Sequence, residues 1–375
     1  MTAPSLDRPP IRALFVNENI GGNATMHLHL RAALKDFPQV AASFLDAGGR
    51  GPLRKVAGAA IPGLGSLDLD LAPLRDQLTL SAHVRRRLRR WPSPYDVLHV
   101  YTHNAALLST DVLRATPTVV GLDATSRQSL RLLPYRRPTR FTAWSQRPGV
   151  QLEKGVYAAA NAIVAKSEWA RQSLLEDYDI APARVRLIPY GIEVADVPDV
   201  PRDRELIAFV GRSMSRKGGW LLLDAWRRRL RPHARLLLVT PEAVPSEPGV
   251  TVVRDVRPGD RRLQELLASA AVLAFPSTGD TFGYAALEAM AMQTPVVAAR
   301  SAAIPEIVED RCNGILVEPG DVDALAEGLG RVLGEEQERR AFGHRARATV
   351  MSRFDARVTT KQLVCLLREV RGNSA

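Results

Sequence analysis

The chain predicts an α/β protein built from two parallel-sheet domains, and three observations carry that prediction. Short apolar, β-branched runs alternate with helix-period segments from end to end, the pattern of strands covered on both faces by crossover helices. The 375 residues suffice for two domains, each with its own core. A polar, Pro-rich stretch at 193–205, EVADVPDVPRDRE, divides the series near its middle and reads as a linker.

The elements follow in order. Strands are predicted at residues 12–16, 97–101, 118–121 and 162–165, then at 207–210, 236–239, 272–275 and 296–299. The expected organisation is a domain at 1–195, a second at 204–352 and a terminal segment at 353–375 with a helix over about 356–370. After the first strand, ENIGGNATMHLHLRAAL opens a helix near Asn23, leaving Gly21 and Gly22 in a small loop at its start. No G-x-G-x-x-G accompanies it, which weighs against a nicotinamide enzyme.

Two segments of the second half carry chemistry. GRSMSRKGG at 211–219 follows the strand at 207–210 directly, so it sits at a strand's C-terminal end, where open α/β sheets bind ligands. Arg212 and Lys217 can there neutralise a diphosphate, while Gly218 and Gly219 allow close backbone approach. Two exposed loop cations would give the same text. In FPSTGDTFGYAALEAMAMQTPVVAA, residues 275–299, Asp280 precedes a helix predicted to start at Gly283. The N–H groups of Thr281, Phe282, Gly283 and Tyr284 are then free for an anion or a sugar hydroxyl. Glu288, eight residues on, returns to the same cleft after about two turns. The spacing suits a ligand combining hydroxyls with phosphate, and equally a plain N-cap with a solvated helix residue.

Composition excludes several classes. Hydrophobic residues at 46% and charged residues at 24% are ordinary for a globular protein. No apolar run reaches about 18 residues and MTAPSLDRPPIR has no signal-type segment, so a cytoplasmic protein is expected. Cys312 and Cys365 lack metal-ligand spacing and read as free thiols. The net charge of +11 is uneven: 25 Lys and Arg against 15 Asp and Glu in residues 1–190, and 26 against 25 in the remainder. No nucleic-acid module accompanies it, so no nucleic-acid partner is expected. His27 and His29, two apart on a helix, face different sides. With no carboxylate pair at cation-binding spacing, no metal is expected either. His99 alternates within a strand and is expected to face the sheet surface. His103, just beyond it, and Asp123, after the strand at 118–121, are candidates to orient an acceptor hydroxyl. In LTLSAHVRRRLRRW, residues 78–91, Leu80, Val84, Leu88 and Trp91 recur at helical spacing beside Arg85, Arg86, Arg87, Arg89 and Arg90. That stripe fits peripheral contact with an anionic inner-membrane face or, alternatively, packing on the domain core.

The donor-side text resembles a known family. TFGYAALEAMAMQTPVVAA followed by IPEIVEDRCNGILVEPGD is similar to the E-x7-E signature of retaining glycosyltransferases of family 4, with Asp280 in place of the first Glu. The resemblance is strong from Ile207 onward and weak over the rest. It implies the GT-B fold, two Rossmann-like domains facing across a cleft, with the C-terminal helix returning to the N-terminal domain. It implies transfer of a sugar from a nucleoside diphosphate sugar to a hydroxyl of a glycan or lipid-linked acceptor, without a further cofactor. Asp280 would meet the donor sugar, Glu288 the ribose, Arg212 and Lys217 the diphosphate, and Gly21 and Gly22 the phosphates and acceptor. Many members carry a His after the fourth strand, where this chain has Leu122 and Asp123. A nucleotide-sugar epimerase, a glycan phosphorylase of similar fold, or a non-catalytic nucleotide-sugar-binding protein are the alternatives.

Overall fold

A computed structural model describes residues 9–18, 22–48, 51–131, 139–257 and 259–373. Twelve strands within these residues form two sheets. The first comprises β1 (Ile11–Asn17), β2 (Val40–Asp46), β3 (Val97–Val100), β4 (Thr118–Leu122), β5 (Ala162–Ala165) and β6 (Val185–Leu187), in the order β2-β1-β3-β4-β5-β6. The second comprises β7 (Asp203–Val210), β8 (Arg235–Val239), β9 (Val250–Val253), β10 (Ala270–Phe275), β11 (Val296–Ala299) and β12 (Gly314–Val317), in the order β12-β11-β10-β7-β8-β9. All pairings are parallel, with Ala13 beside Val97 and Ile207 beside Val272 at the two centres. The inner strands are apolar and buried; Leu14, Phe15 and Val16 of β1 and Val272 and Leu273 of β10 have no exposed surface. Helices on both faces supply that burial, which is why these strands read as continuous apolar runs.

Strand order fixes where a ligand can sit. From β1 the chain runs outward to β2 and returns on the other side of β1 at β3. From β7 it runs out through β8 and β9 and returns on the other side at β10. The loops leaving β1 and β3, and those leaving β7 and β10, therefore part in opposite directions and open a crevice at the C-terminal strand ends.

The chain passes between the sheets twice, and the two crossings are bonded side by side. Ile192 N–H donates to the Phe354 carbonyl and Ala356 N–H to the Ile192 carbonyl, both at 2.8 Å. Asp355 caps the helix Ala356–Gly372, accepting from Arg357 N–H at 2.8 Å. Its buried face, including Leu363, Leu367 and Val370, packs on the helix Gly22–Leu34 and on β3 and β4. The final helix thus returns to the first sheet. Around the crossings Tyr190, Phe282, Tyr284 and Phe354 form an aromatic cluster, with Tyr190 to Phe282 centroids 4.9 Å apart. Lys166 is buried against it, its Nζ 5.2 Å over the Tyr190 ring, and burial lowers its pKa to about 8.

Packing decides one open alternative and corrects one expectation. The arginine-rich segment forms the helix Ala72–Leu88, but Leu80, Val84 and Leu88 are buried in the first core, and Trp91 packs against the same cluster. The stripe is therefore unavailable to a bilayer, and Arg85 and Arg89 pair with Asp111 at 3.0 and 2.7 Å. His99 does not face an open sheet surface: it is buried, its Nδ1 lies 3.1 Å from the Val119 carbonyl, and burial lowers its pKa to about 3. His27 and His29 have separate partners, the Tyr101 hydroxyl and the Glu193 N–H. Among the described residues no helix is long and apolar enough to cross a membrane.

Candidate functional site

A cleft of about 1390 Å³ opens between the two sheets at their C-terminal edges, lined from both sides. Its second-sheet wall is built from the loops after β7 and β10. The β7 loop is a tight turn, with Lys217 N–H on the Ser213 carbonyl at 3.0 Å and Gly219 N–H on the Met214 carbonyl at 2.7 Å. Gly218 has φ +77°, and a Cβ there would strike the Pro276 carbonyl, so only glycine lets the two loops touch. Arg212, Arg216 and Lys217 consequently line one wall.

The β10 loop places Asp280 against those cations. Lys217 Nζ donates to Asp280 Oδ1 in a short ion pair, and Arg216 Nη1 lies 3.4 Å from the same oxygen. Asp280 is buried, and its Oδ2 has no partner. Burial lowers the Lys217 pKa, opposed by the Asp280 charge. Asp280 caps no helix: the helix spans Tyr284–Ala291, with Gly283 as its N-cap at φ +108°, one residue later than the pattern predicts. Thr281 and Phe282 therefore precede the helix, and only Tyr284 belongs to its first turn. Glu288 lines the same cleft two turns along. Burial pushes its carboxyl up to about 7, against a backbone hydrogen bond from Gly259 and the attraction of Lys217.

The first-sheet wall comes from the loops after β1, β3 and β4. Glu18 accepts from Asn23 Nδ2 at 2.9 Å, and Asn23 Oδ1 accepts from the Tyr190 hydroxyl at 3.0 Å. Asp123 reaches across the cleft, its Oδ2 accepting from Thr281 Oγ1 at 2.8 Å. A second cross-link lies nearby, where Glu306 accepts from the N–H groups of Glu168 and Trp169 at 2.7 and 2.8 Å, capping the helix Glu168–Glu176. Gly22 also lines the cleft, and a Cβ on it would come within 3.3 Å of the Tyr284 ring. Gly21 lies outside the described residues.

His103 lines the cleft as well, but its nitrogens are already engaged: Nδ1 is 3.2 Å from the Tyr157 hydroxyl and Nε2 is 3.3 Å from Glu153 Oε1. Glu153 is fully buried and also accepts from the Tyr157 and Tyr178 hydroxyls and the Ser126 N–H. His103 is thus held in the wall by a buried polar network, rather than left open to an acceptor.

The structure brings Arg212, Lys217, Asp280, Thr281, Phe282, Gly283, Tyr284, Glu288, Gly22, His103 and Asp123 into one cleft. Sequence reasoning missed Arg216, Arg254, Arg257, Glu18 and Tyr190, which line it too. Arg216 stood inside the quoted GRSMSRKGG run. Arg254 and Arg257 follow β9, and recognising VTVV as a parallel strand would have placed them at a ligand-facing end.

Comparison with known proteins bears on this geometry. Residues 204–335 match the family model "Glycosyl transferases group 1", and residues 20–196 match the model "Glycosyltransferase Family 4". An MMP alpha-(1->4)-mannosyltransferase of Mycolicibacterium hassiacum is 31% identical over 58% of this chain and 56% of its own length. A D-inositol 3-phosphate glycosyltransferase of Saccharomonospora viridis is 31% identical over 58% of this chain and 57% of its own. The chain thus spans little more than half the length of these relatives. Among solved structures, a sucrose-phosphate synthase of Thermosynechococcus elongatus superposes with a TM-score of 0.74 at 20% identity, covering 98% of this chain and 100% of its own. HepE of Anabaena, solved with UDP and glucose, gives a TM-score of 0.66 at 18% identity, covering 96% of this chain and 100% of its own. These likenesses are of fold.

Proposed function

From a chain that belongs to glycosyltransferase family 4 and has the GT-B fold, we propose an enzyme that moves a sugar from a nucleoside diphosphate sugar to an acceptor hydroxyl, retaining the anomeric configuration. The observation that carries this reading is the wall where Arg212, Arg216 and Lys217 converge beside Asp280 and Glu288 at the switch point of the second sheet. Cations held there by a rigid turn are placed to neutralise a diphosphate as charge develops on the departing oxygen. Asp280 Oδ2, buried and unpartnered, is an acceptor for a donor-sugar hydroxyl, and the Glu288 carboxylate one for ribose hydroxyls. As the bond from C1 to the diphosphate oxygen breaks, the acceptor oxygen attacks the same face and its proton passes to that phosphate oxygen. No side-chain nucleophile is needed.

The nucleotide-sugar donor is supported by HepE, which is solved with UDP and glucose, and sugar transfer by the names of both relatives. Neither relative is named as an epimerase, a phosphorylase or a non-catalytic binding protein. Calorimetry with UDP, GDP and ADP tests the site. At least one should bind to the wild type, and Lys217→Met or Arg212→Ser should weaken it by about 10- to 100-fold, the worth of a charge-assisted hydrogen bond. Binding unaffected by either change would remove the diphosphate assignment.

A further inference from the structure

We infer that Glu306 is a positioning residue for the transfer, a latch between the two domains that makes the placing of the helix Ser126–Arg131 depend on the donor-side loop 278–283. It rests on the transferase reading above for its part in turnover.

The first observation is a divided helix cap. The helix Glu168–Glu176 has its own N-cap, Ser167, whose Oγ accepts from the Ala170 N–H at 3.0 Å. That leaves the N–H groups of Glu168 and Trp169, and one carboxylate of the other domain takes both: Glu306 Oε2 accepts from Glu168 at 2.7 Å and Oε1 from Trp169 at 2.8 Å. A carboxylate held by two amides at a helix N-terminus gains from charge-assisted bonds and from the helix dipole together. Because its two halves come from different domains, the contact is made only while the domains stand this close, which gives it two discrete states, latched and open.

The second observation is that the latch is tied at both ends. Glu306 lies on the turn after β11, where Ser301 Oγ donates to the Thr278 carbonyl at 3.3 Å. Ile304 of that turn is buried and packs so closely on Gly283 that a Cβ there would lie 2.7 Å from its Cδ1. Between these contacts Ala302 holds φ +47°, a left-handed backbone that a side chain disfavours and that the contacts on either side impose. In the other domain the Trp169 carbonyl accepts from Gln128 Nε2 at 2.6 Å, and Thr125 Oγ1 lies 2.7 Å from Ser173 Oγ. Gln128 is buried, and its Oε1 accepts from the Thr125 N–H at 3.1 Å. These bonds fasten the helix Ser126–Arg131 to the latched helix, and its Ser126 and Ser129 line the cleft. The circuit closes through Asp123 and Thr281, 2.8 Å apart across the cleft. A donor-side loop that settles around a nucleotide sugar therefore sets Glu306, and through Trp169 and Gln128 the wall beside which the acceptor oxygen must be aimed.

The test is hydrogen exchange on the full chain, read at single amides by NMR. Glu306→Ala should lower protection of the Ser126 and Ser129 amides, whose acceptors are Glu153 and the Thr125 carbonyl, by about tenfold, although Glu306 touches neither. Glu306→Gln, which keeps one acceptor oxygen, should fall between Glu306→Ala and the wild type. In a Gln128→Leu background, where the circuit is already cut, Glu306→Ala should cause no further loss at Ser126 and Ser129. Whichever of UDP, GDP and ADP binds the wild type by calorimetry should raise protection of the two serine amides there and leave them unchanged in Glu306→Ala, its affinity for that variant staying within about threefold. Binding of none of the three would count against the donor reading of the cleft, while the ligand-free comparison still decides the latch. Loss confined to the amides of Glu168 and Trp169 would make Glu306 a local cap and overturn the inference, as would an equal further loss in the Gln128→Leu background.

Discussion

Lys217 and Asp280 form a buried ion pair that joins the loops after β7 and β10, and a double-mutant cycle measures it. Two unit charges at about 4 Å interact by about 4 kcal/mol at an effective dielectric of about 20, before desolvation is subtracted. The side chains are 19% and 10% exposed, so solvent screens this pair less than a surface pair. Arg216, 3.4 Å from the same carboxylate oxygen and 34% exposed, keeps a cation near Asp280 after Lys217 is removed. Weighing these, Lys217→Met and Asp280→Asn should each destabilise the protein by about 2 kcal/mol. The double variant should fall short of the sum by at least about 1 kcal/mol, since it leaves neither charge stranded. Urea unfolding of the four proteins, with equal m-values as the control, supplies the numbers. Additive losses would show that the pair does not hold the two loops together, and the geometry proposed for the diphosphate wall would lose its basis.

The remaining predictions concern neighbouring groups. Because the Glu288 carboxyl is pushed up to about 7, it is protonated below that pH and accepts ribose hydroxyls best above it. Nucleoside diphosphate affinity should therefore rise between pH 6 and 8 by up to about tenfold per unit below the pKa. Glu288→Gln should remove that component, leaving only the ligand's own titration; an unchanged pH profile would refute the role. Gly218→Ala forces a side chain onto the Pro276 carbonyl at φ +77°, so kcat/KM should drop at least about tenfold with the fold retained. Glu306→Ala should strip hydrogen-exchange protection from the amides of Glu168 and Trp169 and cost about 1 kcal/mol; persistent protection would show that the cross-domain cap is not made in solution.

What the sequence disclosed follows from where each strand lies. The eight strands read from apolar runs are the inner four of each sheet, buried on both faces. The four that escaped, β2, β6, β9 and β12, are the sheet edges. β2 mixes buried with part-exposed residues, β9 has none fully buried, β6 has only three residues, and β12, though buried throughout, is four residues opening on Gly314, so their patterns are too short or too mixed to stand out. The donor-side residues were legible because each follows an inner strand directly. The acceptor-side wall was not: Glu18 and Tyr190 gain their meaning from neighbours up to 167 residues away, as Tyr190 does from Asn23. Nor could spacing show that Asp280 meets Lys217 instead of capping the helix, since that contact joins two loops across the switch point. The arginine-rich helix stayed undecided in the sequence because a stripe at helical spacing looks the same whether it faces lipid or a core.

The central claim, sugar transfer from a nucleoside diphosphate donor with retention, is tested most directly by following the reaction itself. Purified chain would be incubated with a panel of nucleoside diphosphate sugars and pooled glycan acceptors, with phosphorus NMR reporting released nucleoside diphosphate and proton NMR the anomeric configuration of the first product. An α-linked donor should yield nucleoside diphosphate and an α-linked product in equal amounts, and Lys217→Met should suppress both together. Release of no nucleoside diphosphate from any donor, or a β-linked first product, would contradict the account.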